Sequence, residues 1–119
     1  MTLSPDTERL VQLIHRAASG KQAKNPVALD VTELSSFTDA LYVCHADSTR
    51  AVQAVTDGVL DALSDSGARA RHVEGKAALQ WVLIDLGSVM VHVFLKERRE
   101  YYNLERLWHD APQVALEAA

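Results

Sequence analysis

Leu79–Leu95, LQWVLIDLGSVMVHVFL, decides the fold. Two apolar runs flank Gly87-Ser88, a dipeptide suited to a two-residue hairpin turn. Closing the turn there sets Leu86 opposite Val89, Ile84 opposite Val91 and Val82 opposite Val93. Side chains alternate along a strand, so these six aliphatics share one sheet face. The other face receives Trp81, Leu83, Asp85, Met90, His92 and Phe94. The first face reads as core. The second is aromatic with two polar groups, and the pattern leaves its burial open.

Upstream of the hairpin, Arg69–Val73 reads as a weak third strand. Before it, Val52, Val55, Val59, Leu60 and Leu63 mark one face of a helix that Asp47 or Ser48 caps and Gly67 ends. Leu41–Ala46 and Val27–Val31 are β-rich runs joined by a Ser/Thr-rich connection, residues 32–39. Lys21–Pro26 reads as a polar linker. Ser4-Pro5 opens a first helix with Leu10, Leu13, Ile14, Ala17 and Ala18 at helical spacing, stopped by Gly20. Downstream, Glu97–Trp108 reads as one final helix, with Tyr101, Leu104, Leu107 and Trp108 at three- and four-residue spacings. Residues 109–119 are expected to fray. The expected class is α+β, an α/β sandwich in which a mixed five-stranded sheet carries flanking helices. One domain is expected over residues 1–108, followed by a flexible C-terminal tail.

The 119 residues suit a single core. Hydrophobic residues at 48% and charged residues at 24% argue against disorder. No apolar run approaches the roughly 20 residues that span a bilayer. Asp6 and Glu8 stand where a signal or transit peptide is basic or acid-poor. Cys44 has no cysteine to pair with, so a reducing cytoplasm is the expected location. The formal charge of −4 supplies no long-range positive field for nucleic acid.

The chemistry-bearing residues form few constellations. His15, His45, His72, His92 and His109 show no helical ligand spacing, and no CxxC pair is present. No metal and no cofactor are expected. Phosphate-binding glycine motifs and a GxSxG elbow are missing. Asp85 and His92 fall diagonally across the hairpin and allow an acid–base pair, but no nucleophile accompanies them. The plainer reading has Asp85 serving the turn and His92 closing an apolar face. Arg50, Arg98 and Arg99 stand in first turns of helices, where a cation opposes the macrodipole; acidic neighbours or a partner would offset that. Five of the seven aromatics lie after residue 80, which suits either a core corner or a docking surface.

From about Leu10 to Trp108 the sequence resembles the Iojap family of ribosomal silencing factors. Three segments carry the resemblance: ALDV with SSFTDALYV, holding Asp30, Thr38 and Asp39; Ser48–Val52; and EGKAALQWVLIDLGSVMVHVFL followed by Arg99, Tyr102 and LERLW. Ser88, Leu79-Gln80 and His45-Ala46 depart from the family's habit. The resemblance implies a nucleotidyltransferase-like fold without the catalytic aspartate pair, since Asp85 is followed by Leu86 and Gly87. It implies binding to the large ribosomal subunit through its fourteenth protein, a block on small-subunit joining, and repression of translation when nutrients are scarce. It implies no enzyme activity.

Affinity of that kind needs a desolvated anchor within a polar rim. Trp81 is the expected anchor. Leu83, Met90, His92, Phe94 and Tyr102 are expected around it, and Glu74, Lys76, Asp85 and Arg50 as orienting polar groups. Arg50 and Arg99 are also expected to touch peripheral rRNA phosphate. Two other readings stay open: a nucleotidyltransferase-like enzyme using Asp85 and His92, and a homodimeric adaptor.

Overall fold

The structure, a computed structural model, describes residues 3–118. Helix α1 spans Pro5–Gly20; the Ser4 hydroxyl caps it by accepting the Thr7 amide at 3.2 Å. Strands β1 (Lys24–Asp30) and β2 (Ala40–Ala46) follow. Helix α2 spans Thr49–Asp65, and Ser48, not Asp47, caps it through the Ala51 amide at 3.1 Å. Then come β3 (His72–Glu74), β4 (Trp81–Asp85), β5 (Val89–Leu95), α3 (Lys96–Tyr102) and α4 (Leu104–Leu107). The five strands form one sheet in the order β1-β2-β5-β4-β3. β2 and β5 run parallel and the other pairs antiparallel. The expected mixed five-stranded α+β sheet is the one observed.

The hairpin pairs as its alternation requires: Val82 with Val93 and Ile84 with Val91. Leu86 donates its amide to the Val89 carbonyl at 2.9 Å, and Gly87 takes φ 84°. A positive φ at the first central residue belongs to the primed turn types, whose twist matches that of the strands. Helices α1 and α2 pack on the aliphatic face. Val11, Ile14, Val52, Val55 and Val59 meet Tyr42, Cys44, Val82, Ile84, Val91 and Val93, all fully buried. Each aliphatic so buried contributes roughly 1.5–3 kcal/mol, and the layer defines the core.

Four elements differ from expectation. β1 begins at Lys24, inside the expected linker; it is an edge strand, where Pro26 costs no ladder bond, and its register shifts between Lys24 and Val27. β3 shortens to three residues. The final helix breaks at Asn103, which sits at φ 48° and divides α3 from α4. Asparagine is among the side chains most tolerant of this left-handed region, so the break falls there.

The segment after Trp108, expected to fray, instead runs along the free edge of β1. Asp30 donates to the Pro112 carbonyl and Val114 donates to the Ala28 carbonyl, each at 2.8 Å. Gln12 of α1 donates to the Ala115 carbonyl and accepts the Glu117 amide, at 2.8 and 2.9 Å. The edge strand's unpaired backbone groups explain this capture.

A half-open sheet face as candidate docking site

The face opposite α1 and α2 is built in rows, because register places side chains of adjacent strands side by side. The first row is Lys24, His45, Phe94 and Trp81, across β1, β2, β5 and β4. The second contains Val43, His92, Leu83 and Glu74, across β2, β5, β4 and β3. The third contains Leu29, Leu41, Met90, Asp85 and His72. Trp108 and Ala111 close over Leu29, Val31 and Leu41 at the β1–β2 side. The β4–β3 side has no such cover: Trp81, Leu83 and Asp85 are half-buried, and His72 and Glu74 are exposed, while Met90 of β5, also half-buried, packs against the covered cluster.

Trp81 is the hub of this half. Its ring stacks on Phe94 at 5.0 Å and meets Tyr102 at 4.6 Å between centroids. Its indole N–H donates to Nδ1 of His92 at 3.0 Å. Phe94 lies beneath, fully buried, while Tyr102 stays exposed above. Such offset aromatic contacts add about 0.5–1.5 kcal/mol beyond area burial, so the cluster is already assembled in the free chain. Burial pushes the His92 imidazole down to about 4, which keeps it neutral and able to accept the indole proton.

Not every expected site residue joins this face. Asp85 stays on the face, but its carboxylate accepts the Gly87 amide at 2.8 Å and so serves the turn, while Nδ1 of His92 is taken by Trp81. Lys76 lies in the β3–β4 loop, its ammonium 3.8 Å from the Asp57 carboxylate of α2. Arg50 is exposed in the first turn of α2, a helix packed on the opposite face. Arg99 is buried, at 8% exposure, and its guanidinium is used within the chain. It donates to His45 Nδ1 at 2.9 Å, to Glu105 at 3.2 Å and to the Lys24 carbonyl at 3.4 Å. The expected rRNA contact of Arg99 is therefore withdrawn: a guanidinium that closes these bonds cannot also reach a phosphate outside.

Sequence reasoning missed His45 and Glu105, which hold Arg99; Phe94, expected on this face, is the floor under Trp81. The available signal was the absence of a loop between β5 and α3: Arg99 and Tyr102, three residues apart, then share one helix face directly above the sheet end. Among the described residues no three His, Cys, Asp or Glu side chains are grouped to hold a metal ion. Cys44 is buried and its thiol pushed up to about 12 by desolvation, which makes it a core residue and not a nucleophile.

Residues 4–119 match the family described as ribosomal silencing factor during starvation. The chain belongs to that family. A ribosomal silencing factor of Halalkalibacterium halodurans is 43% identical over 110 residues, which cover 92% of this chain and 94% of that protein. A crystal structure of a Chromobacterium violaceum protein superposes with a TM-score of 0.85 at 30% identity, covering 95% of this chain and 93% of that one. A more distant mouse relative, 29% identical over 106 residues, is the mitochondrial assembly of ribosomal large subunit protein 1; the match spans 87% of this chain and 45% of that protein. Ribosomal silencing factors are ribosome-associated regulators of translation, and this chain shares their sequence over nearly its whole length.

Proposed function

We propose that this silencing factor docks on the large ribosomal subunit through its fourteenth protein and, by bulk alone, prevents the small subunit from joining. No bond is made or broken in this mechanism, and the cytoplasm, where ribosomes work, is its place. The observation that carries the reading is the half-buried Trp81 on the buried ring of Phe94, flanked by Leu83 and Met90 and rimmed by Glu74 and Asp85. An apolar anchor within a polar rim is the anatomy of an energetic hot spot. The rim's carboxylates and the net charge of −4 suit a basic ribosomal protein better than bare RNA. Arg50, free of the buried network around Arg99, is left as the peripheral phosphate contact.

Purified large subunits, mixed with the protein and sedimented, carry it down with them. Light scattering during subunit joining then falls as the protein is added. Unchanged joining at saturating protein overturns the occlusion mechanism. Co-sedimentation with the small subunit alone overturns the choice of partner. Self-association through Trp81 is the competing outcome, read as a doubled mass of the free protein.

A further inference from the structure

Helix α3 lies across the first row of the open face, with Arg99 at its middle and Tyr102 at its C-terminal end. Arg99 grips β2 and β1 through His45 and the Lys24 carbonyl. Tyr102 rests on Trp81 of β4, and Phe94 of β5 lies between these two anchor points. The chain then turns back at Asn103, in the left-handed region, and returns Glu105 to the Nε of Arg99 at 3.2 Å. One buried guanidinium thus ties both limbs of the α3–α4 turn to the sheet. The second oxygen of Glu105 is buried without a partner, so this carboxylate depends on Arg99 for its compensation. Helix α3 has only seven residues and no side-chain cap bond, too little to hold its own orientation.

We propose that Arg99 is a positioning residue: it pins α3 across the sheet so that Tyr102 is held against Trp81 on the docking face. The assignment rests on the docking function proposed above. It also makes the state of His45 matter. A neutral His45 accepts the guanidinium proton at Nδ1; a charged ring has only donors there and repels Arg99. The charged groups around His45 are Lys24 of β1, Asp47 after β2, Lys96, Arg99 and Glu100 of α3, and Glu105 of α4. Burial and Arg99 together hold its pKa below the usual histidine range.

Two measurements on the full chain test the pin. Nuclear Overhauser contacts between the Tyr102 and Trp81 rings report the position of α3 in the free protein; sedimentation with large subunits reports docking. Arg99→Lys keeps the charge but lacks the planar fork. It is expected to lose the ring contacts, keep the amide shifts of the sheet, and weaken docking by about tenfold. Arg98→Lys, its exposed neighbour, changes neither. Ring contacts that survive in a folded Arg99→Lys overturn the proposal. Where that variant fails to fold, the wild-type protein gives the answer: protonation of His45, followed by its own ring protons, loosens the Tyr102–Trp81 contact. In His45→Gln, whose amide oxygen still accepts and which retains His92, the contact stays flat until the pH approaches about 4, where His92 itself takes up a proton. A contact indifferent to the charge of His45 overturns the pin. Lost ring contacts with undiminished docking leave the pin standing and overturn the docking function of this face instead.

Discussion

Trp81 and His92, eleven residues apart on neighbouring strands, are joined by an indole N–H to Nδ1 bond of 3.0 Å. The bond satisfies the indole N–H and one of the two ring nitrogens of His92 amid the aromatic cluster. It also requires the histidine to be neutral, and so ties the aromatic cluster to pH.

Stability is therefore expected to fall in acid. The folded His92 takes up a proton near pH 4 and the unfolded one near the usual 6.5, so the unfolded chain binds more protons between those values. The contribution is whole above about pH 6.5, declines as pH falls, and is spent below about pH 4. The full difference is of order 3 kcal/mol for this buried ring. Urea unfolding at a series of pH values measures it, and His92→Gln flattens the slope through that window.

Trp81→Ala is expected to weaken docking to large subunits by at least about 2 kcal/mol, roughly 30-fold. Trp81→Phe keeps ring stacking on Phe94 and loses the bond to His92, so its loss is smaller. Sedimentation at several protein concentrations gives both affinities, and far-ultraviolet circular dichroism verifies that each variant is folded. Equal affinity for Trp81→Ala and the wild type rejects Trp81 as anchor.

Gly75 and Gly67 separate two costs of adding a methyl group. Both hold positive φ, 90° and 85°. A Cβ on Gly67 meets nothing within 4 Å, so Gly67→Ala is expected to cost only the conformational penalty, about 1–2 kcal/mol. A Cβ on Gly75 would stand 2.0 Å from the Trp81 carbonyl oxygen, so Gly75→Ala must also shift the β3–β4 loop or β4. Its loss in unfolding free energy exceeds that of Gly67→Ala by about 2 kcal/mol or more, read from denaturant midpoints.

Gln12→Ala is expected to release the C-terminal segment from α1. Two hydrogen bonds to the Ala115 and Glu117 backbone vanish, at a cost of about 1–3 kcal/mol. Amide exchange at Asp30 and Val114, which bond across to this segment and to β1, quickens while exchange in β5 stays slow. Unaltered exchange at both amides would falsify the coupling between α1 and the segment.

Much of this was legible in the chain. The turn at Gly87-Ser88, the pairing of Val82 with Val93 and Ile84 with Val91, and the helices over the aliphatic face follow from periodicity alone. Asp85 was legible as a turn residue for the same local reason. Arg99 was not. It stood as a surface cation because nothing in its neighbours shows that His45, 54 positions earlier, lies under it.

Local chemistry thus determined the elements, the inward face and the hairpin register, because alternation, capping and turn geometry act over a few residues. Tertiary structure alone decided which polar side chains point out. The parallel pairing of β2 with β5 brings His45 beside Phe94, antiparallel pairing brings Trp81 to the other side, and α3 closes over the row. A guanidinium leaves water only where such distant groups converge to replace its solvation, and their convergence is a property of the assembled sheet.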